Sequence, residues 1–414
     1  MAFFSQNKID YFPIALLIGA IAIFSLVSLG LEENDILGFI SFKTLIFIFA
    51  MQVIVYFATK DQVLEYTTIK LIHLTKGNNR SLFYTLCFFT ALMVAFIEDL
   101  TLSLILIPLV YRTCQILQIP AGTYMMGITI TINIGAILTP VSSLKNLIIG
   151  QEFDWGFGEY FMNMGLLFLL ALVLTVFLLD KFILHNEEKP TEENKLLLLS
   201  LIDPKMVIED KEYFWSTAII LIVTFALLLV GLEPALVTIV AAAFLILIHS
   251  KDVDFSDLNN NISWKILIIF AILFVLSNSL ASFGFSELIS SGLINLSNNN
   301  IYLAVLITLC ISTLMSAFLA GTPVTIMLLP IVSSLVAGGF FPNPIVIAFI
   351  GGVNMAGNFL PQGSACDLLT LNLAKKYGVK NLNYKRLLKN GAVFATVHFL
   401  LILGYTMIYT FIFS

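Results

Sequence analysis

Long apolar stretches separated by short polar segments run along the whole chain. Most of them are close to the roughly 20 residues that an α-helix needs to cross a bilayer. The clearest stretches predict membrane-spanning helices at about 12–31, 36–58, 161–180, 213–231, 234–249, 263–281 and 390–413. The pattern therefore predicts an all-α polytopic membrane protein.

The composition narrows the class of protein further. Apolar residues make up 59% of the chain, and Asp, Glu, Lys and Arg together make up only 11%. A typical soluble domain contains roughly 25% of these charged residues. The composition excludes a soluble globular enzyme and a nucleic-acid-binding protein. We expect the lipid bilayer to surround the chain and expect no nucleic acid among its partners.

The basic residues predict how the chain is oriented. Lys and Arg are concentrated in the polar segments 59–80 and 375–389, whereas 151–160 and 282–302 contain neither. Because Lys and Arg accumulate in cytoplasmic loops, the first two segments are predicted inside and the other two outside. With the mixed-charge segment 181–212 inside, the N-terminus is predicted to be cytoplasmic and the C-terminus outside, in an inner or plasma membrane.

Two blocks of the first half recur in the second half. Ala95–Thr101 resembles Ala317–Pro323 at an offset of 222, and Asn133–Pro140 resembles Asn354–Pro361 at an offset of 221. The basic segment 59–80 corresponds, under this shift, to a segment without Lys or Arg. The two halves are therefore predicted to have opposite orientations, an arrangement that is typical of secondary transporters.

The repeat predicts three regions in the chain. Residues 1–185 form the first inverted repeat and residues 234–414 form the second. Residues 186–233 form a cytoplasmic linker together with a connecting transmembrane helix. This odd helix allows the second repeat to enter the membrane upside down relative to the first.

Each repeat is predicted to contain a re-entrant hairpin and a discontinuous helix. The hairpins fall at about 81–116 and 303–340, and the broken helices at about 121–150 and 344–376. Proline interrupts the helical hydrogen bonds at the breaks. Backbone groups freed at membrane depth are tolerated only where protein or a watery cavity satisfies them. The breaks are therefore predicted to meet and line a site.

Polar and ionisable side chains at the predicted breaks and tips are the candidate binding residues. A charge deep in the bilayer costs ~2.5–3.5 kcal/mol, so it normally has a function and a partner. Half-helix N-termini offer N–H groups to an anion, and unwound carbonyls and hydroxyls offer oxygen ligands to Na⁺. The candidate substrate- and ion-binding residues are Glu98, Asp99, Thr101, Asn133, Thr139, Ser142, Ser143, Lys145, Asn146, Thr322, Asn354, Asn358, Ser364 and Asp367.

The charged candidates suggest different roles. The adjacent carboxylates of Glu98 and Asp99 suit cation binding or proton transfer, and Asp99 and Asp367 are the candidate Na⁺ ligands. Lys145 is expected near the first hairpin tip, where it would neutralise a carboxylate, bind an anionic substrate or exchange with a proton. The chain has no nucleophile elbow, zinc-ligand spacing or phosphate loop, so no catalytic residue and no cofactor is predicted. H⁺ or Na⁺ is the expected coupling ion.

The repeated blocks, including Phe96–Thr101 and Asn133–Pro140, resemble the ion transporter superfamily. This superfamily includes divalent-anion/sodium symporters, citrate transporters and arsenite permeases, and the chain looks most like its bacterial anion permeases. The resemblance covers nearly the whole chain. It implies a secondary active transporter that moves a small anion by alternating access, and it implies a homodimer. Family members typically carry Asn where this chain has Asp99, Gly321 and Asp367.

Other functions remain open on the residues alone. Three carboxylates against one lysine at the predicted breaks and tips favour a cation role, so a Na⁺/H⁺ antiporter or an arsenite-type efflux permease is the alternative. A membrane-embedded hydrolase that uses Lys145 with Ser142 or Ser143 is a distant alternative. The expected partner is a small ionic substrate, and the transporter hypotheses predict that the chain is not an enzyme.

Overall fold

The computed structural model describes residues 11–28, 30–97, 99–253, 255–284, 291–292, 297–319 and 321–413. Within these ranges every regular element is helical, which confirms the predicted all-α fold. The described helices that are long and apolar enough to cross a membrane are Phe42–Lys60, Asp99–Leu117, Phe157–Asn186 (a helix together with the 3₁₀ turn at its end), Lys211–Leu229, Ile301–Phe318 and Tyr384–Phe413.

The helices before the polar linker follow one another with short connections. In chain order they are α1 (Tyr11–Ser28), α2 (Glu33–Gly38), α3 (Phe42–Lys60), α4 (Val63–Leu74), α5 (Asn79–Val94), α6 (Asp99–Leu117), α7 (Ala121–Gly135), α8 (Leu144–Glu152) and α9 (Phe157–Phe182).

The described helices of the linker and second half continue the series. They are α10 (Glu192–Leu201), α11 (Lys211–Leu229), α12 (Pro234–Ile248), α13 (Phe255–Asn261), α14 (Trp264–Ser282), α15 (Ile301–Phe318), α16 (Gly321–Ala337), α17 (Pro342–Met355), α18 (Ala365–Lys376) and α19 (Tyr384–Phe413).

Two segments that the sequence predicted as loops contain helices. The segment 59–80 includes α4, which buries Val63, Leu64 and Ile72 on one side. The segment 181–212 includes α10, whose Thr191 side chain caps the first turn by accepting a hydrogen bond from the Asn194 N–H. Charged residues within both short helices make these segments resemble loops in the sequence, although α10 also exposes Leu196, Leu197 and Leu201.

Two helical hairpins have corresponding positions in the two halves. Hairpin 1 consists of α5 and α6, and hairpin 2 consists of α15 and α16. The hairpin-tip residues Glu98 and Ala320 lie outside the described residues. Each second arm has an internal proline, Pro108 in α6 and Pro330 in α16, yet each arm remains one helix.

Two interrupted helices follow the hairpins. Broken helix 1 consists of α7 and α8, and broken helix 2 consists of α17 and α18. Each break contains a proline, Pro140 or Pro361, which has no N–H to continue the helical ladder. The second break contains two short 3₁₀ turns, Ala356–Asn358 and Pro361–Gly363. The inverted orientation of the two halves in the membrane stays a prediction.

The hairpins and broken helices of the two halves interlock. Within each half, α7 packs on α5 and α6, and α17 packs on α15 and α16. Across the halves, α8 packs on α16 of hairpin 2 and α18 packs on α6 of hairpin 1. These contacts between the halves place both breaks beside the first residues of α6 and α16.

Candidate functional site

A small polar cavity lies where the two broken helices meet the two hairpin tips. Its volume is about 120 Å³. The sequence-predicted site residues that line it come from both halves, and they are Asp99, Asn133, Ser143, Lys145, Thr322, Asn354 and Ser364. The remaining walls come largely from backbone and small residues such as Gly357, Gly363 and Ala365.

Four helices begin at this cavity. α6 begins at Asp99 and α16 at Gly321, while α8 begins after Ser143 and α18 after Ser364. The first N–H groups of a helix have no partner within the helix, and the helix dipole places partial positive charge at this end. Converging N-termini therefore make the cavity a favourable environment for an anion.

Lys145 adds a side-chain cation to these helix ends. Its Nζ atom lies beside the start of α16, 3.2 Å from the position that a Cβ atom on Gly321 would occupy. Asp99 lines the same cavity, but neither Asp99 nor Asp367 forms an ion pair with Lys145. Gly321 has the small size that allows the ammonium group to approach the helix end.

Three predicted residues support the first break and do not line the cavity. The Asn146 amide donates to the carbonyls of Ala136 and Thr139, the latter at 3.2 Å, and to the Ser142 hydroxyl at 3.0 Å. The Ser142 hydroxyl lies 2.5 and 2.6 Å from the same two carbonyl oxygens and shares its one proton between them. The Thr139 hydroxyl donates to the carbonyl of Ala95 in hairpin 1. These bonds satisfy carbonyls that the interrupted helix leaves open.

Amide side chains join the two breaks across the halves. Asn354 of broken helix 2 donates through Nδ2 to Oδ1 of Asn146, at 2.7 Å. Asn133 of broken helix 1 donates to Oδ1 of Asn358 at 2.8 Å, and its own Oδ1 accepts from the Ser364 hydroxyl at 3.2 Å. Both connections link residues more than 200 positions apart, so each half holds the break of the other.

Asp367 lies behind the cavity wall. It is only 2% exposed, and its Oδ1 accepts a 2.7 Å hydrogen bond from the Thr129 hydroxyl of α7. Sequence reasoning missed Thr129, although it precedes Asn133 by four residues and therefore shares its helix face. Two other predicted residues remain. Thr101 lines a neighbouring cavity, and Glu98 lies outside the described residues.

Several buried polar atoms at the site lack hydrogen-bond partners in the described part of the chain. They include Ser143 Oγ and Asn354 Oδ1, both on cavity-lining residues that are 7% and 0% exposed, and Asn358 Nδ2 nearby. A buried polar atom without a partner costs ~1–3 kcal/mol, so it normally has a reason to remain unpaired. A bound polar solute would supply the missing bonds.

The structure also bears on the hydrolase alternative and on metal binding. The Ser142 hydroxyl is bonded to backbone carbonyls, and neither Ser142 nor Ser143 hydrogen-bonds to Lys145. Among the residues that the structure describes, no group of three or more His, Cys, Asp and Glu could hold a metal ion.

A larger cavity adjoins the central one. Its volume is about 510 Å³, and it shares Ser143 and Leu144 with the central cavity. It extends to Lys60, at the end of α3, and to Asn261, at the end of α13. This cavity therefore extends from the central cavity to the end of α3, which lies in the segment that the sequence predicts to be cytoplasmic.

Apolar helices around a polar cavity at which broken helices meet define the chain as a multi-pass membrane transporter. Comparison with protein families gives the particular family. The model of the citrate transporter family matches residues 1–352, and the chain belongs to this family.

Several individual proteins are similar to the chain over much of its length. An uncharacterized transporter of Mycobacterium tuberculosis (strain ATCC 25618 / H37Rv) is 22% identical over 425 residues, covering 100% of this chain and 97% of the relative. The human P protein is 22% identical over 428 residues, covering 83% of this chain and 51% of its own length. The crystal structure of the YdaH transporter of Alcanivorax borkumensis shares the fold, with a TM-score of 0.60 and 13% identity over 88% of this chain and 83% of its own.

Proposed function

We propose that the protein is a secondary active transporter that moves a small anion across the membrane by alternating access. The substrate would bind in the central cavity between the two halves. Membership of the citrate transporter family supports a carboxylate or another oxyanion as the kind of substrate. In this proposal the chain acts in an inner or plasma membrane, with its N-terminus cytoplasmic and its C-terminus outside, as a homodimer.

The convergence of four helix N-termini with Lys145 carries the proposal of an anionic substrate. Each N-terminus contributes a favourable dipole and the lysine contributes a full charge. Some of the first N–H groups are already capped, since the Leu100 N–H donates to Asp99 and the Asp367 N–H donates to Ser364. Charge-assisted hydrogen bonds to an anion are roughly twice as strong as neutral ones. The unpartnered Ser143 hydroxyl provides a further donor at the same place. An anion would therefore satisfy groups that the folded chain leaves open.

The coupling ion would bind near the carboxylates. Asp99 lines the cavity, whereas Asp367 lies behind it with Thr129 and Ser364 as oxygen-bearing neighbours. Either carboxylate could hold a proton or ligate Na⁺ while the substrate binds. Placing a cation beside an anionic substrate lowers the net charge that must cross the low-dielectric membrane.

Gradient-driven uptake in proteoliposomes tests the proposal. The purified full chain would be reconstituted and supplied with labelled citrate, succinate, phosphate or sulfate under an imposed H⁺ or Na⁺ gradient. We expect uptake of at least one of these anions above that of protein-free vesicles, and loss of uptake when the gradient is dissipated. If no anion accumulates under either gradient, the proposal is wrong.

Na⁺/H⁺ antiport is the second candidate, because Asp367 is a buried carboxylate among hydroxyl and amide groups. The same liposomes, loaded with a pH-sensitive dye, distinguish the two functions. Proton release on a Na⁺ or Li⁺ pulse without any substrate anion would support antiport. An arsenite-type efflux permease would instead transport arsenite across the membrane of the same proteoliposomes.

A further inference from the structure

The walls of the central cavity contain acceptors as well as donors. Lys145, Ser143 and Thr322 offer donor groups, together with the N–H groups of four helix ends. Asp99 and Asn354 offer acceptor oxygens. Because like charges repel, the Asp99 carboxylate tolerates a fully deprotonated anion only with a coupling ion between them, whereas it can accept a hydrogen bond directly from an O–H of the substrate. The acceptors therefore point to hydrogen-bond donors on the substrate.

Asp99 is placed to accept such a bond. Its Oδ1 accepts a 2.8 Å hydrogen bond from the Leu100 N–H at the start of α6. Within the described part of the chain, its Oδ2 accepts no hydrogen bond and no cation forms a direct ion pair with it. Oδ1 is therefore held by the backbone while Oδ2 is available to a ligand.

Asn354 supplies a second acceptor from the other half. Its Nδ2 donates to Asn146 and to the Ile350 carbonyl, which fixes the amide, while its Oδ1 is buried without a partner. Because the amide is fixed on its donor side, it cannot rotate freely to suit an acceptor-only ligand. Both halves of the molecule thus offer an acceptor to the same small volume.

We propose that the cavity selects compact anions that carry a hydroxyl group, either protonated oxyanions or small hydroxy acids. In this proposal Asp99 is the residue that recognises the hydroxyl by accepting its hydrogen bond. The anionic part would face Lys145 and the helix ends, and the O–H would donate to Asp99. Typical ligand pockets measure roughly 300–1,000 Å³, so the cavity of about 120 Å³ favours small solutes. This inference rests on the proposed transport of an anion and specifies its substrate class.

Matched pairs of anions test the selectivity. Phosphate and sulfate are both tetrahedral oxyanions, but only phosphate carries a proton near pH 7. Glycolate and acetate have the same charge, but only glycolate has a hydroxyl. Affinities would be measured at pH 7 and constant ionic strength from the ligand-induced rise in unfolding temperature of the purified full chain. We expect the hydroxyl-bearing member of each pair to bind roughly tenfold or more tightly, because the other leaves buried acceptors unpaired.

The variant Asp99→Asn tests the assigned residue. An amide can donate to a deprotonated oxygen, so the preference within both pairs should fall to about twofold or invert. Glu193→Gln makes the same chemical change on the exposed linker helix α10 and should leave both preferences unchanged. Because the wild-type preference is measured independently, the test does not depend on the variant folding.

Several results would overturn the inference. These are equal binding within either pair, a preference for sulfate or acetate, or an unchanged preference in a folded Asp99→Asn variant. If sulfate or succinate is taken up under a gradient while the paired preference is absent, only this inference fails. If no anion binds or is transported, the proposed function fails with it.

Discussion

The two breaks have corresponding positions in the chain but stabilise themselves differently. In the first break, the side chains of Ser142 and Asn146 satisfy the backbone carbonyls. In the second break, 3₁₀ turns satisfy much of the backbone, and Ser364 and Asp367 form side-chain bonds with broken helix 1. A repeated backbone architecture has thus acquired two different sets of side-chain bonds.

The charges differ between the repeats in the same way. The offset of 221 pairs Lys145 with Cys366 and Asn146 with Asp367, and the offset of 222 pairs Asp99 with Gly321. The first break therefore presents a cation to the uncharged start of α16. The start of α6 presents Asp99, and the second break keeps its own carboxylate behind the wall. Divergence between two repeated halves can in this way produce one asymmetric site.

Removing the cation should have the largest effect. Lys145→Met keeps most of the side-chain length but removes the charge, so we expect anion uptake to fall by about 100-fold or more, in line with losing a charge-assisted bond at a desolvated site. Initial uptake rates in proteoliposomes measure the change. Lys189→Met, an exposed position in the linker, is the matched control. Uptake above about a third of wild type in the Lys145 variant would show that the helix ends alone bind the anion.

Exchanging the equivalent residues tests whether the two breaks are interchangeable. Asn146→Asp removes the amide N–H groups that donate hydrogen bonds to the carbonyls of Ala136 and Thr139. It also places a carboxylate beside these two carbonyls. We expect a loss of about 3 kcal/mol in stability, since the Ser142 hydroxyl then has one proton for two buried carbonyls and a carboxylate faces both of them. Asp367→Asn should cost less, because the Thr129 hydroxyl can still donate to the amide oxygen.

Thermal unfolding of both variants in one detergent measures this difference. The comparison between the breaks would be wrong if both variants lost the same stability or if Asp367→Asn were the more damaging. A double variant adds information, because residues in separate networks should have additive effects.

Adding a methyl group to Gly321, at the start of α16 in hairpin 2, should also affect Lys145. A Cβ on Gly321 would lie 2.8 Å from the Val353 carbonyl oxygen and 3.2 Å from Lys145 Nζ. Gly321→Ala should therefore displace the ammonium and lower uptake roughly tenfold, the cost of about 1.4 kcal/mol of lost binding. Gly404→Ala, in α19 with nothing within 4 Å of the added atom, is the control and should keep full uptake. Equal uptake in the two variants would remove Gly321 from the site.

The sequence predicted the helices and breaks well because the signals are local. Apolar runs of spanning length and the prolines Pro140 and Pro361 are visible without any tertiary information. The repeat also located most of the residues that line the cavity. It could not separate those that line it, such as Ser143, from those that brace the backbone, such as Ser142 next to it. That distinction depends on the exact path of the chain through the break.

The partnerships across the halves were beyond local reasoning for a related reason. Thr129 lies on an apolar helix with no nearby charge, and its partner Asp367 is 238 positions away. Gly321 gave a signal only as the counterpart of Asp99, and its role in leaving space for Lys145 depends on how α8 packs on α16. Only the assembled halves bring such pairs together.

Removing the Thr129 hydroxyl should give the smallest effect and would sharpen the account of the second break. Thr129→Val keeps the shape of the side chain but removes the donor to Asp367, so we expect a loss of about 1–2 kcal/mol in stability. Thr131→Val is matched to it, because Thr131 is equally buried in α7 and donates to carbonyls of its own helix, Gly127 and Ile128, rather than to the second half of the chain. Thermal unfolding should show a larger loss for Thr129→Val.

If Asp367 also carries the coupling ion, the Thr129→Val variant should weaken the dependence of uptake on the gradient, while the Thr131→Val variant should not. Equal losses in stability and unchanged coupling would mean that the Thr129–Asp367 bond contributes nothing specific to the second break.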